Sequence, residues 1–307
     1  MVGRSDSSLH VLIAGASGFI GTEVRRQLED AGHEVRALVR RTPASEAEYN
    51  WAPLDGTIDT RAIDWADAVI NLAGATTGRI PWTRRYKSQI LNSRISGTNT
   101  IVDAIAASAS PPTVFLSGSA VGFYGDQPGV ELDETSPKGT GFLSDVVEAW
   151  EQAAERTPTG TRVVQLRTGV VVGRGGAFTP LMALTAIGLG ARLGSGKQNW
   201  PWVSLHDEAA AIAHVLTSSL SGVVAIAGPT PATSVEVTRA LAKGMRRWHP
   251  WVIPEFAIRL LGEAGRDLLL SSEAVVPRRL LADGFVFRDR TIDDTIATMF
   301  DRSSTTR

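Results

Sequence analysis

Three glycines near the N-terminus, Gly15, Gly18 and Gly21, constrain the fold of this chain more than any other feature. An apolar run from Leu9 to Ala14 predicts a buried strand before them, and helical periodicity from Thr22 to Ala31 predicts a helix after them. A strand, a glycine turn and a helix in this order form a mononucleotide-binding unit, in which the turn and the free N–H groups of the helix bind a pyrophosphate. A purely structural glycine turn is the alternative, but the flanking strand and helix favour a dinucleotide site.

The end of the second predicted strand, Glu34 to Val39, indicates which dinucleotide binds. Arg40 and Arg41 follow it, and no Asp or Glu lies between Glu34 and Glu46. Folds that bind NAD place an acidic residue near this position for the ribose 2′-hydroxyl, whereas arginine suits the 2′-phosphate of NADP. The sequence therefore predicts NADP(H), and the alternative is a solvated, charged loop.

Predicted strands and amphipathic helices alternate along the rest of the chain. Asp67 to Gly74 predicts a strand that ends in small residues, where a ligand can lie across the sheet edge. Thr83 to Ser108 predicts a long helix, and Thr113 to Ser117 the next strand. This alternation predicts an α/β protein, with a Rossmann-type doubly wound parallel sheet and a smaller α+β C-terminal lobe. We expect a mobile tail at residues 1–8 and an NADP-binding domain formed by residues 9–169 together with residues 204–228. Residues 170–203 and 229–307 are expected to form a smaller C-terminal substrate lobe.

Composition argues against several classes of function. The chain has 307 residues with 43% hydrophobic and 21% charged, and its net charge of −1 gives no general attraction to nucleic acid or to a membrane surface. There is no cysteine, and the five histidines lack the spacing of a two-histidine metal site, so we expect no metal. No apolar run approaches the ~18 residues of a membrane helix, and no signal peptide is evident. We expect a cytoplasmic protein that acts on a small molecule, with its oligomeric state left open.

Two later helices follow polar residues that could cap them. Asp207 is expected to cap the helix that reaches Ser218, and Ser234 the helix that follows it. An acid–base pair of His206 and Asp207 is the less favoured interpretation. Three large side chains, Phe178, Trp200 and Trp202, are expected to fill the core of the second lobe rather than a substrate pocket.

Several motifs in succession resemble the extended short-chain dehydrogenase/reductases, the superfamily that includes the nucleotide-sugar epimerases. They are the glycine turn, Asn71-Leu-Ala-Gly74, Ser119 after a strand, Arg167-Thr-Gly169 and Trp202-Val-Ser-Leu-His-Asp207. Finer details are similar to one atypical branch, the epimerase-family proteins with a C-terminal domain of unknown function. These details are Ser119-Ala-Val-Gly-Phe-Tyr-Gly125, Trp150-Glu151, Gly194-Ser-Gly-Lys-Gln198 and Pro277-Arg-Arg-Leu-Leu-Ala-Asp-Gly-Phe285. The resemblance covers the chain from about Leu9 to Phe300.

The resemblance implies NADP(H) binding and adds residues to those that the glycine turn and the arginines predict. The full set of predicted cofactor-binding residues is Gly15, Ser17, Gly18, Phe19, Ile20, Gly21, Arg40, Arg41, Leu72, Ala73, Gly74 and Arg94. Arg94 lies on the long helix, where a guanidinium could reach the phosphates or ribose of the cofactor. A surface salt bridge is the alternative for this residue.

The Tyr-x-x-x-Lys pair that normally carries the superfamily's chemistry is absent. In that pair the lysine lowers the pKa of the tyrosine, so the phenol can exchange a proton near neutral pH. None of the three tyrosines here has a lysine four residues later, and the helix after Gly141 has neither residue type up to Glu151. Ser119 matches the serine that polarises a substrate oxygen, and Tyr124 offers a phenol in the same loop. Both are candidate catalytic residues, with a turn serine and a packed aromatic as the alternatives.

Two functions are consistent with this sequence. The first is an NADP(H)-dependent oxidoreductase or epimerase-like protein that acts on an unidentified small molecule, such as a nucleotide sugar or a carbonyl compound. The alternative is a non-catalytic NADP(H)-binding module with a regulatory or protein-interaction role, which the loss of the Tyr-x-x-x-Lys pair permits.

Overall fold

The computed structural model describes residues 8–301, so the tail predicted at 1–8 lies almost wholly outside the described residues. The strands are β1 His10–Ala14, β2 Glu34–Val39, β3 Glu48–Ala52, β4 Thr57–Ile58, β5 Ala68–Asn71, β6 Val114–Ala120, β7 Glu131–Leu132, β8 Arg162–Thr168, β9 Val170–Val172, β10 Ala191–Leu193, β11 Asn199–Trp200, β12 Trp202–Ser204, β13 Gly222–Ile226, β14 Ala232–Thr233, β15 Trp251–Ile253 and β16 Ala274–Val275. The helices are α1 Phe19–Asp30, α2 Thr60–Trp65, α3 Arg84–Ala107, α4 Phe142–Glu155, α5 Thr179–Ala186, α6 Leu205–Thr217, α7 Ser234–Gly244, α8 Glu255–Arg259, α9 Glu263–Gly265, α10 Arg278–Ala282 and α11 Ile292–Phe300.

One eight-stranded sheet organises the molecule, in the order β13-β8-β6-β5-β1-β2-β3-β4. All neighbours pair in parallel except β3 and β4. The chain runs from β1 outward to β3, then returns through β5 and continues outward in the other direction. The sheet is therefore doubly wound, as predicted, and its direction reverses beside β1, where such sheets bind ligands.

Helices cover both faces of the sheet, which explains why its central strands are apolar throughout. Val11, Leu12 and Ile13 of β1 are fully buried. On one face α1 packs against α6, which comes much later in the chain. On the other face α3 packs over Trp51 and the strands beside it. A parallel sheet with both faces covered has near-continuous hydrophobic strands, which is the pattern of Leu9 to Ala14.

A second core gathers side chains from the later part of the chain. Phe178, Trp200 and Trp202 are buried in it, together with residues of α7 and α11. The indole nitrogen of Trp202 donates a hydrogen bond to the carbonyl of Thr230, at 2.9 Å. These three aromatic residues are therefore core residues, as the sequence predicted.

Two predicted helix caps are wrong by one to three residues. The N-cap of α6 is Ser204, whose hydroxyl accepts the backbone N–H of Asp207, and the N-cap of α7 is Thr233. Thr233 forms a capping box with Glu236, which satisfies two backbone donors reciprocally. Ser, Thr and Asp are all favourable N-cap residues, and several of them stand next to each helix start. Residue type alone therefore did not show which one is the N-cap.

Candidate functional site

The glycine turn between β1 and α1 is shaped by contacts that exclude side chains. Gly15 has a φ of +85°, and a Cβ added there would lie 2.9 Å from the carbonyl carbon of Leu72, at the end of β5. A Cβ on Gly21 would lie 2.1 Å from the carbonyl oxygen of Gly15. Gly18 closes the turn by donating its N–H to that same oxygen, at 2.9 Å. The three glycines therefore hold β1, α1 and the β5 loop together at backbone distance.

The N-terminus of α1 faces this turn with unpaired donors. The helix starts at Phe19 rather than at the predicted Thr22, and its first intrahelical bond runs from the N–H of Thr22 to the carbonyl of Gly18. Gly18 offers no side-chain cap, and no acidic residue lies in the first turn. A cavity of about 310 Å³ opens there, lined by Ser17, Gly18, Phe19, Thr22, Leu205 and by Glu23, whose carboxylate is paired with Arg26. Free N–H groups and the positive end of a helix dipole make this cavity receptive to a phosphate.

A second glycine-rich segment covers Phe19, and sequence reasoning missed this contact. Cβ atoms added at Gly173, Gly175 or Gly176 would each lie 2.7 Å from the ring of Phe19. The glycines allow the loop after β9 to lie directly on that ring, above the start of α1. The sequence shows that residues 169–176 are rich in glycine, but it does not show that this segment packs on Phe19, which lies far earlier in the chain.

The structure separates the two arginines that follow β2. Arg41 forms a two-pronged ion pair with Glu48, at 2.6 and 2.7 Å, and this pair lowers the pKa of Glu48 to about 2. Arg40 is exposed and has no ion pair with any residue between 8 and 301. Of the two, Arg40 is therefore the guanidinium available to a ligand at the end of this strand.

Arg94 reaches the end of β5 from α3. Its guanidinium lies beside Gly74, where an added Cβ would be 3.6 Å away, and donates hydrogen bonds to the carbonyls of Ala75 and Ile90 at 3.1 and 2.9 Å. It also lies 5.1 Å from the ring centroid of Trp150. No carboxylate of residues 8–301 pairs with Arg94, and burial lowers its pKa to about 10. A half-buried cation without a counter-ion next to the predicted phosphate site can stabilise a bound anion.

Ser119 lies at the end of β6 in a buried network that the sequence did not reveal. Its hydroxyl donates to Oε1 of Glu151 at 2.6 Å, and Arg167 binds both oxygens of Glu151 at 2.8 Å. Arg167 also donates to the phenolic oxygen of Tyr124, at 3.1 Å. Ser119 therefore presents oxygen lone pairs rather than its proton, so it is arranged to accept a hydrogen bond from a substrate hydroxyl.

Tyr124 is brought close to Ser119 but is fully buried behind Arg167. Desolvation raises the pKa of its phenol to about 12, although the nearby Arg167 acts in the opposite direction. Phe123 packs with its ring centroid 3.5 Å from the Arg167 guanidinium and 5.6 Å from the Tyr124 ring. A phenol with a raised pKa and no exposed surface is poorly suited to exchange protons with a substrate at neutral pH.

The charged side chains of Lys138 and Asp207 are engaged in other contacts. Lys138 pairs with Asp145 and Glu148 on α4, at 2.7 and 2.8 Å. Asp207 is buried and accepts the backbone N–H groups of Arg288 and Asp289, so it holds the segment before α11 against α6. Neither residue is placed for acid–base chemistry beside Ser119. Among the described residues, no group of three or more metal-ligating side chains could hold a metal ion.

Comparison with known proteins identifies the family. A model of the NAD dependent epimerase/dehydratase family matches residues 11–227, and a domain of unknown function (DUF1731) matches residues 253–299. The chain belongs to this epimerase/dehydratase family. It is 38% identical over 291 residues to an epimerase family protein of Mycobacterium leprae, covering 94% of each chain, and 36% identical to the bovine epimerase family protein SDR39U1, covering 90% of this chain and 95% of the relative.

Solved structures show the same architecture. The crystal structure of human epimerase family protein SDR39U1 (isoform 2) with NADPH superposes with a TM-score of 0.87 at 30% identity, covering 95% of this chain and 99% of that one. A nucleoside-diphosphate sugar epimerase from Corynebacterium glutamicum superposes with a TM-score of 0.79 at 30% identity, covering 96% of this chain and 58% of that one. Within residues 8–301 no helix is both long and apolar enough to cross a membrane.

Proposed function

We propose that this protein binds NADP(H) along the edge of the sheet formed by the ends of β1, β2 and β5. The residues there fit the cofactor: the start of α1 offers free N–H groups, Gly18 has no side chain at the turn, and Arg40 has no ion pair within residues 8–301. The SDR39U1 structure with NADPH supports this proposal. The observation that carries it is Arg40, an exposed cation unpaired in the described part of the chain, after the strand where an NAD-binding fold places a carboxylate.

Paired substitutions of the two arginines test this assignment. Arg40→Gln removes a charge-assisted contact to a 2′-phosphate, so we expect NADPH affinity to fall about 10- to 100-fold while NADH affinity changes little. Arg41→Gln is the matched control, because Arg41 is held by Glu48 and should contribute less to the discrimination. Calorimetric titration of both variants with both cofactors gives the answer. Equal losses for NADPH and NADH in Arg40→Gln would show that Arg40 does not bind the 2′-phosphate.

We further propose that the bound cofactor serves an oxidation or reduction at a C–O group of a small molecule held beside Ser119. NADP(H), when bound, supplies the hydride transfer. Ser119 orients the substrate by accepting a hydrogen bond from its hydroxyl, since its own proton is directed to Glu151. Glu151, Arg167 and Tyr124 are positioning residues that fix this orientation. Nucleotide sugars and simple alcohols or carbonyl compounds are the substrates to test.

Turnover measurements on Ser119→Ala test the role of the serine. We expect loss of most turnover with little change in NADPH affinity, because Ser119 contacts substrate rather than cofactor in this proposal. Ser117→Ala is the matched control, since Ser117 is a buried serine on the same strand whose hydroxyl contacts only its neighbour's carbonyl. Unchanged turnover in Ser119→Ala would remove the residue from the reaction.

A non-catalytic NADP(H)-binding module is the second candidate. Two observations favour it: α4 carries no Tyr-x-x-x-Lys pair, and the Ser119 hydroxyl already has a partner in the protein. This candidate predicts tight NADPH binding with no turnover on the same panel of compounds. Turnover that depends on Ser119 would exclude it.

A further inference from the structure

A large basic cavity, distinct from the one beside Phe19, lies between the loop after β9 and the ends of α7 and α11. Its volume is about 910 Å³, and Arg174, Arg246 and Arg247 line it, with Ala186 and Asp301 also on its wall. Among the described residues that line this space, three carry a guanidinium and one, Asp301, a carboxylate. A cavity with an excess of guanidinium groups is suited to an anionic ligand, and above all to phosphate.

The three arginines are placed differently from those in the ion pairs of this fold. Arg174 is held by a hydrogen bond from its Nε to the carbonyl of Met299, at 3.0 Å, and its guanidinium carbon lies 5.4 Å from the Phe300 ring centroid. Arg246 and Arg247 are exposed and form no ion pair within the described part of the chain. Their charge is therefore available at the surface.

Arg246 also occupies a strained backbone position. It has a φ of +53°, and no other described residue except glycine has a positive φ. It follows the end of α7, where glycine normally takes this conformation, and an L-residue there costs roughly 1–2 kcal/mol. The conformation belongs to a Schellman cap, in which the N–H groups of Arg246 and Arg247 bond to the carbonyls of Lys243 and Ala242 and fix the backbone of both arginines at the end of α7.

An exposed apolar surface adjoins the cavity, and we call it the tryptophan face. It consists of Ile187, Leu189, Trp248, Trp251 and Val252, whose exposed fractions are 72, 49, 85, 55 and 49%. Ile187 follows Ala186 of the cavity wall, and Trp248 follows Arg247. The indole nitrogen of Trp251 donates to the carbonyl of Gly188 at 3.0 Å, and β15 pairs with β10, so these residues form one surface.

The size and charge of this surface indicate what covers it. Five large side chains at these exposures present roughly 600 Å² of apolar area, the upper end for the largest patch on a monomer. By area alone the face would also serve a two-fold dimer, whose interface buries about 800 Å² of total surface per partner with somewhat over half of it apolar, so charge is what distinguishes the two occupants. Tryptophan beside unpaired arginine is instead the composition of proteins that bind the headgroup region of membranes.

We propose that the tryptophan face docks on the surface of a membrane containing anionic phospholipid. Arg174, Arg246 and Arg247 bind headgroup phosphates in the cavity, while Trp248 and its apolar neighbours enter the interface between headgroups and acyl chains. This is attachment to one face of a bilayer, which requires no membrane-spanning helix. The whole-chain charge of −1 hides this local excess of positive charge.

Co-sedimentation of the full-length protein with vesicles tests the proposal. We expect binding to vesicles of phosphatidylcholine with phosphatidylglycerol, little binding to phosphatidylcholine alone, and release at high salt. The double variant Arg246→Gln/Arg247→Gln should have an affinity for these vesicles about 30-fold lower, because each lost charge reduces the affinity about fivefold. Trp248→Ala should weaken it further without affecting the fold, because the side chain is 85% exposed.

Three controls make the result decisive. The double variant Arg84→Gln/Arg85→Gln removes two positive charges from exposed arginines on α3 and is matched to the Arg246/Arg247 variant. Val286→Ala shortens an 84% exposed side chain outside the tryptophan face and is matched to Trp248→Ala. Neither should change vesicle binding. Arg246→Gly relieves the strained backbone, so it should weaken vesicle binding while thermal stability stays equal or rises. Equal binding to both vesicle types, or full binding by the Arg246 and Arg247 double variant, would overturn the proposal. So would a wild-type dimer in light scattering that Trp248→Ala dissociates, because the face would then be a self-association surface.

Discussion

Adding one methyl group to Gly21 is the most direct test of how the glycine turn works. The new Cβ would lie 2.1 Å from the Gly15 carbonyl oxygen and 2.9 Å from the Cα of Ala16, so the obstruction is backbone and no rotamer change can relieve it. Overpacking of this kind costs about 3 kcal/mol, and the better helix propensity of alanine returns about 1 kcal/mol. We therefore expect Gly21→Ala to lose about 2 kcal/mol of unfolding free energy and about 3 °C in Tm.

Gly97→Ala is the matched control, because Gly97 is also a buried helical glycine. A Cβ there would lie 3.5 Å from the Trp51 ring, an ordinary contact. Helix propensity should then dominate and stabilise the protein by about 0.5–1 kcal/mol. Calorimetric melting and NADPH titration measure both variants. We expect NADPH affinity to fall at least tenfold in Gly21→Ala, since α1 must move away from the turn, and to stay unchanged in Gly97→Ala. A Gly21→Ala protein that melts and binds like the wild type would refute this account of the turn.

Two further predictions concern buried charges. Glu151→Gln leaves the Arg167 cation buried without its partner, so we expect a loss of about 3–5 kcal/mol in urea unfolding, and a near-neutral result would mean that water reaches this pair. Glu208 is fully buried with one oxygen bonded to Thr168 and the other unpartnered, and burial raises its pKa to about 8. The pKa of Glu208 is higher in the folded protein than in the unfolded chain. Its contribution to the unfolding free energy is therefore greatest below about pH 4.5 and falls as the pH rises toward 8. Glu208→Gln should flatten that part of the Tm profile between pH 5 and 8, and an unchanged slope would contradict it.

The sequence predicted the parts of the site that depend on local order. The turn at Gly15, Gly18 and Gly21 joins a strand directly to a helix. This order can be recognised in a short stretch of sequence, without knowledge of distant contacts. Ser119 was identified as a candidate by its position after a predicted strand and by the family resemblance. Its chemistry was not, because its partner Glu151 is 32 residues later on another element. The register of β6 against β8, which sets Ser119 opposite Arg167, is a property of the folded sheet.

The arginines show why charge is difficult to interpret before a structure is known. Arg40 and Arg41 are adjacent and chemically identical, yet of the two only Arg41 pairs with Glu48. Arg246 and Arg247 contribute to a net charge near zero, although they lie together beside an apolar face. Tertiary contacts decide which arginines form ion pairs and where the others lie, and the net charge of the sequence carries no information about these contacts.

The packing of α1 against α6 has a consequence for how the chain is made. Gln27 on α1 donates to the carbonyl of His206 on α6, 179 positions later, and the apolar stripe around Val24 and Leu28 is closed by that helix. At 5–20 residues per second, a ribosome takes about 10–35 s to deliver one partner after the other. During that interval the part of this core that α6 supplies is missing, so the N-terminal half exposes the hydrophobic surface that α6 later covers. Nascent chains stalled before α6 should therefore be strong clients of ribosome-associated chaperones, and chains stalled after it much weaker ones.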